Sequence, residues 1–114
     1  MAPPRGEVHR NIALENEERN LTIRVTYSTK EISLDTTFSG ITPDAVVAAM
    51  QKEAAGQVGF AMKLIVNSMS ALQFAREVIK RYNEATGRSL PSPGSSLEFI
   101  RLGEREGIIK VIQP

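Results

Sequence analysis

Apolar and polar residues alternate with a period of two in two neighbouring segments near the start of the chain. The first runs over Leu21–Tyr27, and the second covers Ile32–Phe38 after the polar stretch Ser28–Glu31. Period two in segments rich in β-branched residues is typical of strands that bury one face. Together the two segments predict an antiparallel β-hairpin whose second face is polar.

Start signals for a helix follow the hairpin directly. Thr42 is a favoured N-cap residue, Pro43 stands at the first helical position, and Asp44 places an acid in the first turn. Apolar residues then recur at helical spacing. Gly56 and Gly59 predict an interruption, because glycine is a poor helix former. The segment predicts a short helix.

The segment from Phe60 to Thr86 carries two stripes of opposite character in phase with the helical repeat. The polar stripe consists of Lys63, Asn67, Ser70, Gln73, Glu77, Lys80 and Glu84. The apolar stripe opposite consists of Ile65, Met69, Leu72, Ala75, Ile79 and Tyr82. Residues 63–68 alone also fit a buried strand before a helix capped by Ser70, but one long amphipathic helix accounts for both stripes. Gly87 then stands where a left-handed C-cap belongs.

The apolar surface of this helix is wider than its own domain needs. A second apolar row lies beside the first and consists of Phe60, Leu64, Ala71, Phe74 and Val78. A straight helix of this length would span about 40 Å, so it either kinks or extends beyond its core. This excess of apolar surface favours a second copy of the chain as the partner that covers it. The interface residues that we predict are Ile65, Met69, Leu72, Phe74, Val78, Ile79 and Tyr82.

The C-terminal segment has two interpretations before its final strand. A loop rich in proline and glycine precedes Ser95, and residues 96–106 read either as a helix capped by Ser95 and closed by Gly107 or as a strand leading to a tight turn. The helix is the slightly favoured interpretation. Residues 108–112 predict a strand in both cases.

These elements predict an α+β fold in a single domain over residues 20–114. It contains an N-terminal antiparallel β-hairpin, a short helix, a long amphipathic helix, a C-terminal helix or strand, and a final strand. Residues 1–19 combine Pro3, Pro4 and many charges with scattered apolar residues, and predict a flexible tail.

Composition removes several function classes. A chain of 114 residues with 41% hydrophobic residues is an ordinary globular chain, and its net charge of +1 provides no strong field for polyanions. The absence of cysteine excludes disulfides, a thiolate nucleophile and cysteine-bound metals. No apolar run reaches the length of a membrane span, and no secretory h-region is visible. We therefore expect a cytoplasmic protein without membrane contact.

Few residues are suited to catalysis. His9 is the only imidazole and falls in the predicted tail, Asp35 belongs to the wet face of a strand, and Asp44 belongs to a first helical turn. An acidic group in the tail, without preorganised geometry for a metal ion, consists of Glu15, Glu17 and Glu18. We expect no enzymatic activity, no cofactor and no bound metal.

A basic group supports an alternative function. It consists of Arg76, Lys80, Arg81, Arg88, Arg101 and Arg105. The pattern Arg105–Ile109 resembles the end of the last helix and the following strand of winged-helix DNA-binding domains, which implies contacts with phosphates. Several glutamates in the same segments reduce the net positive charge of this group.

The sequence therefore predicts a small interaction or assembly module, non-enzymatic and homodimeric through its long helix, with itself or another protein as partner. The alternative is a regulatory protein that binds nucleic acid through the basic group.

Overall fold

The fold was described from a computed structural model that covers residues 20–29 and 32–114. Its elements are strands β1 (Leu21–Ser28) and β2 (Ser33–Gly40), helices α1 (Pro43–Ala55), α2 (Phe60–Ser68), α3 (Ala71–Thr86) and α4 (Ser96–Glu106), and strand β3 (Ile109–Gln113). The predicted α+β class and the order of elements are confirmed. The predicted tail over residues 1–19 lies outside the described residues.

Strand β1 is the centre of a three-stranded antiparallel sheet with the order β2-β1-β3. Its apolar residues Ile23, Val25 and Tyr27 are buried on one face, as the period of two predicts. The opposite face is polar and carries cross-strand pairs such as the ion pair between Arg24 and Asp35. The hairpin prediction is confirmed.

The helices cover the apolar face of the sheet and supply most of the core. Helix α1 lies against β2, while α3 and α4 pack on α1 and on each other. Phe99 of α4 and Val46 of α1 are fully buried with Ile23 at the centre. None of the helices in the described ranges is long and apolar enough to cross a membrane.

Local capping explains where the outer helices begin and end. The Thr42 hydroxyl accepts a 3.1 Å hydrogen bond from the Ala45 N–H, and Ser95 does the same for Glu98. Gly107 has φ +81°, the left-handed conformation that favours glycine and ends α4. Of the two interpretations of residues 96–106, the helix is therefore the observed one.

The prediction of one continuous helix from Phe60 to Thr86 is wrong. Met69 has an extended backbone (φ −79°, ψ 149°), which separates α2 from α3. The Ser70 hydroxyl accepts from the Gln73 N–H, and the Gln73 side chain accepts from the Ser70 N–H, so a reciprocal capping box starts a new helix. Ser70 and Gln73 matched the polar stripe because their spacing suits both a continuous helix and a helix start.

Candidate protein interaction site

Helix α2 is the least buried element of the helical layer. Of its side chains only Val66 is buried, and the principal contact of the helix is with α1. Its N-cap residue is Gly59, which has no side chain to cap the first turn. The helix therefore packs on the domain through few side chains, and it begins at a glycine without a side-chain cap.

The C-terminal end of α2 is held by the buried side chain of Gln51. Its amide nitrogen donates hydrogen bonds of 2.7 Å to the carbonyl oxygen of Val66 and 2.8 Å to that of Met69. The Val66 carbonyl also accepts a 3.2 Å hydrogen bond from the Met69 N–H, so the Gln51 amide is its second donor. One amide from α1 thus bonds both oxygens at the break between α2 and α3.

An apolar pocket of about 250 Å³ opens between α2, α3 and the adjoining end of the hairpin. Its floor includes Leu34 of β2 and Phe74 of α3, and its α2 wall includes Met62 and Ile65. Other apolar residues that line it are Ile32, Ala54, Val58, Val66, Met69 and Val78. Such a lining suits apolar side chains more than polar molecules.

The two charged side chains that line this pocket form an ion pair with each other. Arg81 Nε donates to Glu77 Oε1 over 3.1 Å, four residues apart on α3. Both side chains line the pocket, and their pairing leaves little net charge there. Residues 20–29 and 32–114 contain no cluster of three or more metal-binding side chains. The pocket is therefore suited to contact with apolar side chains.

Helix α2 presents large apolar side chains to solvent beside the pocket. Phe60 is 77% exposed, and Leu64 follows one turn later at 56%. Ile65 is 52% exposed and also lines the pocket, as does Met62. A concentration of exposed apolar side chains on one short helix is typical of protein contact surfaces. We call Phe60, Met62, Leu64, Ile65 and the adjoining pocket the α2 surface.

The structure divides the seven predicted interface residues into three groups. Phe74, Val78 and Ile79 are buried in the core of the domain, and as long as this fold persists they offer little area to a partner. Ile65 is exposed, whereas a partly buried group consists of Met69, Leu72 and Tyr82. The sequence also placed Phe60 and Leu64 in a second apolar row, and these two belong to the α2 surface.

Gln51 is the residue at the candidate site that sequence reasoning missed. It supports the α2 surface by its hydrogen bonds, yet a glutamine within a helix is ordinary in sequence. Its position beside Met50 on the apolar side of α1 is the one signal that could have marked it. A polar residue in an apolar stripe calls for a buried partner.

The predicted basic group is partly neutralised by neighbouring groups. Arg88 forms two hydrogen bonds with Glu106, of 3.0 and 2.7 Å, and Arg81 is paired with Glu77. Arg76 donates to the carbonyl oxygen of Pro93. The remaining members, Lys80, Arg101 and Arg105, are exposed on two different helices, α3 and α4.

Glu106 joins three parts of the chain at the end of α4. Its carboxylate accepts from Arg88 and, over 2.8 Å, from the Tyr82 hydroxyl. The hydrogen bonds from Arg88 and then Tyr82 lower the pKa of Glu106, while the bond to Glu106 raises the pKa of Tyr82. The network ties α3, the following loop and α4 together, which is a structural role.

Comparison with protein-family models, with curated proteins and with solved structures gives no match for this chain.

Proposed function

We propose that this chain is a small non-enzymatic assembly module that forms a homodimer through the α2 surface. The observation that carries the proposal is that α2 exposes Phe60, Leu64 and Ile65 next to an apolar pocket. In a twofold dimer the same surface of each copy contacts its equivalent, so both copies bury their exposed α2 side chains. The exposed apolar side chains of α2 in each copy then pack against the α2 surface of the other.

The size and chemistry of the pocket support this partner. An apolar cavity of about 150 Å³ is large enough to bind benzene, and the pocket has about 250 Å³. An apolar side chain that enters it would contact Met62, Ile65 and Met69, whose flexible or branched apolar side chains pack well against it. The single cation of α2, Lys63, is exposed on a helix without acidic residues, so α2 contains no ion pair of its own to disrupt.

The pairing of the basic residues with carboxylates gives less support to the nucleic-acid alternative. Arg81 and Arg88 are the members that already hold acidic partners, and phosphates would have to compete with them. If the alternative were right, Lys80→Glu together with Arg101→Glu would abolish a salt-sensitive interaction with DNA or RNA.

A matched pair of substitutions tests the α2 surface. Ile65 on α2 and Ile112 on β3 are both 52% exposed, so Ile65→Asp and Ile112→Asp introduce the same charge at equal exposure. Light scattering behind size exclusion should give a lower mass for Ile65→Asp and for Phe60→Asp, but the parent mass for Ile112→Asp. Circular dichroism checks that each variant is folded. A folded Phe60→Asp variant with the parent's mass would contradict the proposal.

A further inference from the structure

Strand β2 exposes a row of backbone hydrogen-bonding groups along its outer side. The Thr26 N–H donates 2.8 Å to Ile108 O, so even-numbered residues of β1 point their backbone groups towards β3. The odd-numbered residues of β1 therefore bond to their partners in β2. The partners in that ladder are Leu34, Thr36, Phe38 and Gly40. The backbone N–H and C=O groups that point away from the sheet belong to Ser33, Asp35, Thr37 and Ser39.

Gln57 confirms this direction by occupying the first position of the row. Its side chain accepts a 2.7 Å hydrogen bond from the Ser33 N–H and donates a 2.7 Å hydrogen bond to the Ser33 carbonyl. This is the pair of bonds that a residue of a neighbouring antiparallel strand would make. Within residues 20–29 and 32–114, no such group bonds the outer side of Asp35, Thr37 or Ser39.

The two edges of the sheet differ in their protection. Strand β3 carries the exposed Lys110, a register shift near its end and Pro114 directly after it. Lysine, irregularity and proline are the features that block pairing at sheet edges. Strand β2 has eight residues without lysine, proline or a bulge, and its one charge, Asp35, is paired with Arg24. Strand β2 is the open edge.

Helix α1 leaves this edge accessible. A Cβ on Gly40 would lie 2.7 Å from Ala45 Cβ, and Gln57 contacts Ser33, so α1 and its C-terminal extension run alongside β2 in the opposite direction. Residues four apart share a helix face, which places Ala49 between those two contacts. Asp35, Thr37 and Ser39 are nevertheless exposed.

We propose that the β2 edge pairs antiparallel with the β2 edge of a second copy, centred on Thr37. In this register Thr37 lies opposite Thr37 of the second copy, and Asp35 lies opposite Ser39. Threonine pairs are favourable across strands, and no like charges face each other. The strand is its own complementary partner, and Gln57 limits the pairing at the Ser33 end of each copy.

This contact is independent of the α2 surface proposed above. A chain with two different self-complementary patches links copies alternately through one and the other, so the product is a linear array. Loss of one contact leaves dimers, and loss of both leaves monomers. The two proposals can therefore fail separately.

Thr37→Pro is the direct test because proline has no N–H. The Thr37 N–H takes no part in the β1–β2 ladder, and proline is tolerated on the open side of an edge strand. Thr37→Val keeps the N–H and a branched side chain, and is the matched control. We expect the mass in solution to fall for Thr37→Pro and to stay at the parent value for Thr37→Val.

Two further measurements do not depend on the proline variant being folded. Amide exchange of Asp35, Thr37 and Ser39 in the parent should slow at least tenfold as protein concentration rises, while Ser33, already bonded to Gln57, should not change. The chain has no native cysteine, so Thr37→Cys should form a disulfide only with a second copy. Directly opposed residues in a hydrogen-bonded pair lie about 5.5 Å apart, within disulfide range. Thr26→Cys, on the outer face of β1, is the control and should not crosslink.

The combined results distinguish the proposals. Dimers of Thr37→Pro and of Phe60→Asp, with monomers of the double variant, support both contacts. A monomeric Thr37→Pro with a Phe60→Asp variant at the parent mass supports the β2 contact and removes the α2 dimer. A folded Thr37→Pro at the parent mass, concentration-independent exchange at Thr37, or equal crosslinking of Thr26→Cys overturns the β2 proposal.

Discussion

The Ser96 hydroxyl donates a 2.5 Å hydrogen bond to the Asp44 carboxylate, which joins the first turns of α1 and α4. Ser96 is only 2% exposed. Ser96→Ala should lower the free energy of unfolding by about 1–3 kcal/mol, because a charged acceptor loses its buried donor. Urea unfolding measures the change, with Ser89→Ala in the exposed loop as control. Equal midpoints for parent and Ser96→Ala would show that this bond adds nothing.

Gln51→Leu should destabilise the region of α2 more than the rest of the domain. The substitution keeps the size of the side chain but removes both hydrogen bonds to Val66 and Met69, at a cost of about 1–3 kcal/mol. Hydrogen exchange should accelerate in α2 before it does in β1. Lys52→Leu makes the same replacement at an exposed neighbouring position and should leave exchange in α2 unchanged. Uniform acceleration throughout the chain would contradict a local role for Gln51.

Gly103→Ala should destabilise the protein although alanine is the better helix former. A Cβ on Gly103 would collide with the Ile109 side chain, with Cγ1 at 2.6 Å and Cβ at 3.0 Å. Overpacking of this kind costs about 1–3 kcal/mol, which exceeds the gain of about 1 kcal/mol in helix propensity. Thermal unfolding measures the net effect.

A double variant identifies the cause of that loss. Gly103→Ala should cost less in a background that carries Ile109→Ala, because the larger side chain is no longer in the way. If Gly103→Ala costs the same free energy of unfolding in the parent and in the Ile109→Ala background, contact with Ile109 is not the reason for glycine at position 103.

Arg88→Met should weaken the dependence of stability on acid pH. The pKa of Glu106 is lowered in the folded protein, first by the hydrogen bonds from Arg88. A lowered carboxyl pKa contributes stability above the unfolded value of about 4.3, and that stability is lost as the pH falls through the folded pKa. Arg101→Met, an exposed change on the same helix as Glu106, is the control. Identical acid limbs for Arg88→Met and the parent would contradict this linkage.

The opposite sign applies to Tyr82. Its pKa is raised by the hydrogen bond to Glu106 and by burial, so its contribution is complete below the unfolded pKa and is lost as the pH rises through the folded value. Tyr82→Phe should flatten the alkaline limb of the stability curve. A parent-like alkaline limb for Tyr82→Phe would be inconsistent with the raised pKa.

Much of the fold could be predicted because local signals agree with tertiary packing. The alternation over β1 coincides with a sheet that buries one face, and Ser95 and Gly107 mark the ends of α4 through capping chemistry. The boundary between α2 and α3 could not be predicted from periodicity, because Ser70 and Gln73 fit both interpretations. Their hydrogen bonds decide it.

The candidate site was less accessible to prediction because burial depends on contacts between distant segments. Phe74 and Ile65 belong to the same broad apolar surface in sequence, yet only Phe74 is covered. The open edge of β2 is invisible in sequence as well, since it depends on which strands flank β1. The sheet order, with β3 on the far side, leaves β2 outermost.

The pairing of β1 with β3 also has a kinetic consequence. Strand β1 precedes all four helices of the described residues, and β3 follows them. Contacts between such distant segments require a large loop to close and slow the search for the native state. During synthesis the β1–β2 hairpin emerges well before β3, so the side of β1 that pairs with β3 lacks this partner until β3 leaves the ribosome. The nascent chain is then most exposed to wrong pairing or to capture by a chaperone.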